Sequence, residues 1–289
     1  MKDMVMVKWP VLPVYKKSCE GSERTDELLY GMWGQLMGER QNGFVRICTG
    51  YGYEGWCRSD GLKYGEWDVC RTWCSSRAFV QTRFVDVLAE PRVSSEVMIT
   101  LPRGSLITVC EEERADGWQP VELLDRRRGY VKTGQISLMR TGKRAGFWQW
   151  GPLNVSAGEE KLLRNCLVET AKGYLGTPYR WGGKSPEGID CSGLCSLVYW
   201  LHGIIIYRDS RILPEYAVRE IPQEQMKPAD LLYFPGHMAM YLGEGKYIHS
   251  SFSQLGVTVN SLNPGDEDYF PRLAGSLKAV GSVFGFQET

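Results

Sequence analysis

Asp190-Cys191-Ser192-Gly193-Leu194 stands between a glycine-rich turn, Trp181-Gly182-Gly183, and the apolar run Leu194, Leu197, Val198, Leu201. Apolar residues at i, i+3, i+4 and i+7 mark one face of a helix. Cys191 therefore falls in the first turn of that helix, where unpaired backbone amides carry partial positive charge. Such a position favours thiolate over thiol, so a lowered pKa and a nucleophilic role are expected for Cys191.

A nucleophilic thiolate needs a base beside it, and the chain has three histidines, His202, His237 and His249. His237 opens an alternating run, His237-Met-Ala-Met-Tyr-Leu-Gly243, and His249 closes another, Gly245-Lys-Tyr-Ile-His249. Gly243-Glu244-Gly245 between them has the composition of a hairpin turn. A hairpin centred on Gly243 sets the two histidines directly opposite each other, where one imidazole can orient the other. A slip of one residue would send the rings to opposite faces. His202, just before an expected helix end at Gly203, reads as a surface or dipole-pairing residue.

With 289 residues the chain has room for two domains, or three if some are small. Lys+Arg and Asp+Glu both number 34, so the formal charge is zero. This balance argues against a nucleic-acid groove or a polybasic membrane patch, and neither partner is expected. The start, Met-Lys-Asp-Met-Val-Met-Val-Lys-Trp-Pro, is broken by charges and reads as neither signal peptide nor membrane span. Nine cysteines, odd in number, scattered and without a C-x-x-C pair, suit a reducing compartment. A cytoplasmic location is expected. Cys191, Cys195, His237 and His249 would make an acceptable zinc set by type. Two cysteines four apart on one helix are an uncommon pair of ligands, and Cys195 reads more simply as a small core residue, so neither metal nor cofactor is expected.

Residues 1 to about 140 carry a degenerate repeat: Gly31, Gly43 and Gly55 are echoed by Gly104, Gly117 and Gly129. Gly43-Phe44 matches Gly117-Trp118, and Gly55-Trp56-Cys57 matches Gly129-Tyr130-Val131. Short alternating runs divided by Gly, Asp and Asn predict two small antiparallel barrels, with the Gly-aromatic pairs as barrel packing. An aromatic linker, Phe147-Trp148-Gln-Trp150-Gly-Pro152, follows. Ser156-Ala-Gly-Glu159 has capping-box spacing and opens a helix through Leu162, Leu163, Cys166, Leu167 and Thr170 that Gly173 or Gly176 ends. Asp230-Leu-Leu-Tyr-Phe234 and Gly256-Val-Thr-Val-Asn260 read as further strands. One helix bearing the nucleophile against an antiparallel sheet bearing the base is an α+β arrangement.

Gly52-Tyr53-Glu54-Gly55-Trp56 resembles the closing segment of bacterial SH3-like domains. Leu175-Gly-Thr-Pro-Tyr179-Arg-Trp181-Gly-Gly-Lys-Ser-Pro-Glu-Gly-Ile-Asp190-Cys191-Ser-Gly-Leu closely resembles the active-site signature of the NlpC/p60 cysteine peptidases. Pro228-Ala-Asp-Leu-Leu-Tyr-Phe, His237-Met-Ala-Met-Tyr-Leu-Gly and Tyr247-Ile-His249 match its later blocks in order and spacing. The resemblance implies a papain-like NlpC/p60 domain at 143–289, preceded by SH3-like domains at 1–76 and 77–142. It implies Cys191 as nucleophile, His237 as base and His249 as the residue that orients the base.

Such a catalytic domain behind two SH3-like domains resembles the γ-D-glutamyl-L-diamino acid endopeptidases of murein peptide recycling. The implied substrates are stem peptides, L-Ala-γ-D-Glu-diamino acid, with a free N-terminal alanine; a monomer is expected. A buried ammonium requires a carboxylate and acceptors. By resemblance Asp209 and Ser210 supply them, Tyr53 closes the site and Glu27 accompanies it, while Tyr179, Trp181, Asp190 and Ser192 line the pocket. The alternative readings are a helix cap for Asp209, barrel core for Tyr53 and packing for Trp181. Family members often carry Pro before the Arg-Asp pair and Gln a few residues later; here Tyr207 precedes it and Ile-Leu-Pro214 follows. A secreted hydrolase acting on intact wall and a catalytically idle wall-fragment binder are the competing functional readings.

Overall fold

The structure, a computed structural model, describes residues 4–65, 77–110, 116–139 and 148–285. Residue 76 and residues 142–143, where domain limits are expected, together with Cys70, Cys74 and Phe147, lie outside the described residues. The chain divides into two compact units, 1–145 and 146–289.

The N-terminal unit is built from short strands separated by glycine-rich turns. The first seven are β1 (Met4–Val7), β2 (Val11–Tyr15), β3 (Arg24–Leu29), β4 (Trp33–Gln41), β5 (Phe44–Thr49), β6 (Glu54–Arg58) and β7 (Leu62–Gly65). The next seven are β8 (Arg77–Val80), β9 (Phe84–Leu88), β10 (Val97–Pro102), β11 (Leu106–Val109), β12 (Trp118–Glu122), β13 (Arg128–Lys132) and β14 (Ile136–Leu138). Their sheets run β3-β2-β6-β5-β4-β1-β7 and β10-β9-β13-β12-β11-β8-β14, the same order twice. The glycines of the repeat do equivalent work. A Cβ on Gly55 would lie 2.3 Å from Val14 Cγ1, and one on Gly129 would lie 2.6 Å from Val87 Cγ1. Among the described residues neither sheet pairs its first strand with its last, so both are open sheets rather than closed barrels.

The two sheets also share a core. Met4, Met6 and Tyr30 pack with Val85, Val87, Leu101 and Ile107. Full burial of such side chains contributes about 1.5–3 kcal/mol each. The Tyr30 hydroxyl meets its polar requirement by accepting from Leu124 N–H at 2.6 Å.

The C-terminal unit opens with α1 (Ala157–Lys172), whose N-cap Ser156 and Glu159 form the expected capping box and whose C-cap is Gly173. The buried face differs from the one the apolar residues suggest: Arg164, Leu167, Val168 and Ala171 point inward, whereas Leu162 and Cys166 are exposed. Arg164 can occupy that face because Glu160 at 2.8 Å, Asp230 at 2.8 Å and the Pro228 carbonyl at 2.7 Å satisfy its guanidinium. A two-stranded ribbon, β15 (Lys184–Ser185) and β16 (Gly188–Ile189), then leads into α2 (Cys191–Leu201). Of the aromatic linker, Trp148 stacks on Trp200 of α2 with ring centroids 3.7 Å apart.

The remaining strands are β17 (Arg219–Ile221), β18 (Leu231–Phe234), β19 (His237–Gly243), β20 (Lys246–Ser251), β21 (Gly256–Ser261) and β22 (Ala279–Ser282). They form an antiparallel sheet ordered β17-β22-β18-β19-β20-β21. Leu232, Phe234, Ala239 and Tyr247 fill one face together with Leu273 of a short helix, α3 (Pro271–Ala274). α2 lies against β19 and β20. This is the expected α+β arrangement, nucleophile helix on histidine sheet. No described helix is long and apolar enough to cross a membrane.

Candidate active site

Cys191 is the first residue of α2, and the N-cap is Asp190, whose carboxylate accepts from Gly193 N–H at 2.6 Å. The same carboxylate accepts from Gly182 N–H at 2.8 Å, tying the glycine-rich turn to the helix head. Gly193 is required by close approach: a Cβ there would lie 2.1 Å from the Gly183 carbonyl oxygen. On the far side, Ser250 Oγ donates to the Ile189 carbonyl at 2.6 Å. The segment entering the nucleophile is thereby fastened to β20, the strand that carries His249.

Behind the helix head lies Arg208, a residue the sequence reading passed over. Its two terminal nitrogens contact Asp190 Oδ1 at 3.1 Å and Oδ2 at 3.0 Å, a bidentate pair with side chains only 1% and 9% exposed. Arg208 also donates to Ser192 Oγ at 2.8 Å. One local sign existed. Arg208 follows the buried run Ile204-Ile205-Ile206 closely, and a guanidinium kept buried demands a buried anion.

His237 and His249 meet, but not by the expected pairing. The hairpin turns on Glu244-Gly245, both with positive φ, and is interrupted by a bulge between Tyr241 and Gly243. Tyr241 therefore pairs with Tyr247 and Met240 with Ile248. This register places His237 diagonal to His249, two residues from the directly opposed position. A two-residue offset keeps both rings on one face, and diagonal neighbours are within reach of aromatic side chains. His237 Nε2 lies 2.8 Å from His249 Nδ1. With Nε2 engaged, Nδ1 is the remaining ring nitrogen of His237. His249 is fully buried, and its Nε2 lies 2.9 Å from Asn260 Oδ1, a second residue missed in the sequence.

The electrostatics correct the expectation of a lowered thiol pKa. Burial, and next the Asp190 charge, push Cys191 up to about 11, against opposing help from the Met238 and Ser192 N–H groups and from Arg208. Burial is the larger effect because the thiol is 7% exposed and the helix-end field acts on it together with a carboxylate. His237 is pushed down to about 3 by burial, by His249 and by Arg272, and His249 down to about 4 by burial. The resting pair is therefore a neutral thiol and a neutral imidazole.

The other anticipated residues fall as follows. Ser192 Oγ donates to Asp190 Oδ1 at 3.3 Å. Tyr179 is half-buried; burial, and next Cys191 and Asp190, raise its phenol above the usual value, and its ring meets Phe252 edge-on at 5.8 Å. Trp181 is 59% exposed. Asp209, partly exposed, stands 3.7 Å from Arg211, and Ser210 follows it in the same loop. Glu27, fully buried on β3, accepts from Arg24 at 2.8 Å, and Tyr53 N–H donates to Thr49 Oγ1 at 2.9 Å; both belong to the N-terminal unit. Gly203, with positive φ, sits just past the C-cap residue His202, whose Nε2 lies 2.9 Å from Thr170 Oγ1. Cys195 is fully buried one turn along from Cys191.

A cysteine at a helix head, packed on a strand whose histidine is held by a second polar residue, is the working arrangement of a cysteine peptidase. Comparison with known proteins agrees. The model of the NlpC/P60 family matches residues 176–270. Dipeptidyl-peptidase 6 of Lysinibacillus sphaericus is 39% identical over 266 residues, covering 91% of this chain and 93% of that protein. Gamma-D-glutamyl-L-lysine dipeptidyl-peptidase of Bacillus cereus is 38% identical over 121 residues, covering 39% of this chain and 35% of its own. In fold, an NlpC/P60 family protein from Bacillus cereus ATCC 10987 superposes with a TM-score of 0.75 over 96% of this chain and 98% of that one, at 18% identity. The chain belongs to the NlpC/P60 family of cysteine peptidases.

Proposed function

We propose that the protein is a cytoplasmic endopeptidase of murein peptide recycling that hydrolyses the γ-D-glutamyl-diamino acid bond of stem peptides with a free N-terminal L-alanine. The observation that carries this reading is the 39% identity, over 266 residues, with a dipeptidyl-peptidase. An enzyme of that kind cuts at a fixed distance from a free N-terminus, so it needs a group that holds the ammonium. Asp209 and Ser210, both in the C-terminal unit, are assigned that task. Tyr179, Trp181, Asp190 and Ser192 line the cleft around the scissile bond.

As Cys191 Sγ attacks the γ-carbonyl carbon of D-glutamate, its proton passes to His237 Nδ1, so neither ion has to exist alone in the buried site. The Cys191 N–H, at the helix head where first-turn amides have no partner within the helix, donates to the developing oxyanion. His237 then returns the proton to the leaving amine, and the C–N bond breaks to leave a thioester. Water, deprotonated by His237, attacks the thioester and frees L-Ala-D-Glu and the thiol.

Mass spectrometry of L-Ala-γ-D-Glu-diaminopimelate and its lysine counterpart, each with and without an N-terminal muramyl cap, tests the proposal against a Cys191→Ala control. Release of L-Ala-D-Glu from the free peptides alone is expected. Cleavage of capped and free peptides alike would point to hydrolysis of intact wall, and cleavage of neither to a wall-fragment binder; each outcome overturns the reading.

A further inference from the structure

Asn260 lies on β21, 6% exposed, and makes two contacts that together leave it one orientation. Its Nδ2 is 3.0 Å from the backbone carbonyl of Asp268, and its Oδ1 is 2.9 Å from His249 Nε2. A carbonyl oxygen only accepts, so the amide nitrogen must face Asp268 and the amide oxygen must face His249. An amide oxygen also only accepts, so His249 Nε2 carries a hydrogen.

We infer that Asn260 is a positioning residue which, through His249, sets the tautomer of His237 and so directs the lone pair of the base at the Cys191 thiol. The inference rests on the reading of His237 as the base. With its hydrogen on Nε2, neutral His249 presents a lone pair at Nδ1. His237 Nε2, 2.8 Å away, must then be the donor of that hydrogen bond. The lone pair of His237 is thereby confined to Nδ1. Without the amide oxygen, His249 is free to move its hydrogen to Nδ1 and donate to His237 Nε2. His237 would then carry its own hydrogen on Nδ1, the atom that has to accept the thiol proton. Burial, which holds His249 down to about 4, keeps it neutral at physiological pH and so capable of passing this information on.

The test is long-range proton–nitrogen NMR on the full chain with imidazole-labelled histidine, His202 being assigned by a His202→Gln sample. In the wild type at pH 7, both His237 and His249 are expected as tautomers protonated on Nε2. In Asn260→Ala and Asn260→Leu, a mixed or Nδ1-protonated pattern is expected, with kcat on the free stem peptide lowered on the order of 10²-fold, the low end of a general base's contribution, and KM little changed. Wild-type spectra showing His249 protonated on Nδ1 would overturn the inference, and that result needs no variant to fold. So would Asn260 variants with unchanged spectra and unchanged kcat. The expected tautomers in a protein that cleaves no stem peptide would leave the inference standing and remove the proposed substrate.

Discussion

Replacing Arg208 by Met should show how much of the site depends on one buried ion pair. The guanidinium meets both oxygens of Asp190, at 3.1 and 3.0 Å, and the Ser192 hydroxyl at 2.8 Å. Methionine fills much of the same space but supplies none of these bonds. Asp190 would stay buried as a carboxylate supported only by the Gly182 and Gly193 N–H groups and the Ser192 hydroxyl. Breaking a buried pair by removing one partner costs about 3–5 kcal/mol. In a unit of this size that corresponds to a fall in melting temperature of roughly 6 °C or more. The thiol should also become harder to ionise, because Arg208 opposes the upward push of Asp190 on Cys191. Urea unfolding, followed by hydrogen exchange in the helix Cys191–Leu201, measures the first effect, and the pH dependence of iodoacetamide alkylation the second. The double variant Asp190→Asn, Arg208→Met should be less damaged than the sum of its parts, with a coupling of about 1–3 kcal/mol. A single variant within about 0.5 kcal/mol of wild type, or strictly additive losses, would refute the pair as the support of the nucleophile.

Gly193→Ala should misplace the helix head, because the new methyl would sit 2.1 Å from a backbone oxygen that has no side-chain freedom to yield; kcat/KM should fall by about 10²-fold, and a loss under threefold would contradict the close packing described. Arg211→Ala should improve KM for the free-amine peptide a few-fold and leave an N-acetylated peptide unchanged, since Arg211 stands 3.7 Å from Asp209, the carboxylate assigned to the ammonium; the gain is modest because an exposed pair holds weakly. Equal changes for both peptides would take Asp209 out of amine recognition. His237 and His249 titrate in the folded protein below the ordinary imidazole value of 6.5, so on acidification the unfolded chain binds protons first. The stability they lend is complete above about pH 6.5 and is lost as pH falls towards 4 and 3. Urea titrations at stepped pH should show that slope flattened in a His249→Gln variant; an unchanged slope would mean that other groups carry the acid sensitivity.

What could be read along the chain was whatever depends on a few neighbouring residues. The cysteine at a helix start, the Ser156–Glu159 capping box, the strand alternation around His237 and His249, and the seventy-odd-residue echo in the N-terminal half are all local patterns, and each appears in the structure. The inward face of α1 does not follow from its apolar residues, because Arg164 is buried by partners at Pro228 and Asp230, more than sixty residues away, which no helical periodicity can reveal. The thiol pKa was misjudged for a related reason: the helix-end effect is local, but burial under the sheet is not, and burial won. The histidine pair met in a register set by a bulge, which leaves His237 two residues from the directly opposed position and so keeps both rings on one face. Arg208 and Asn260 carry no periodic signal at all and acquire their contacts only when the loop after α2 and the outer strand β21 fold back on Asp190 and His249. Sequence determined the elements, because caps, turns and amphipathic faces arise from short-range sterics and hydrogen bonding, and it singled out the candidate reactive residues. Tertiary structure alone decided which atom of each candidate residue faces which, because burial, ion pairing and tautomer depend on groups that only the folded chain brings within about three ångströms.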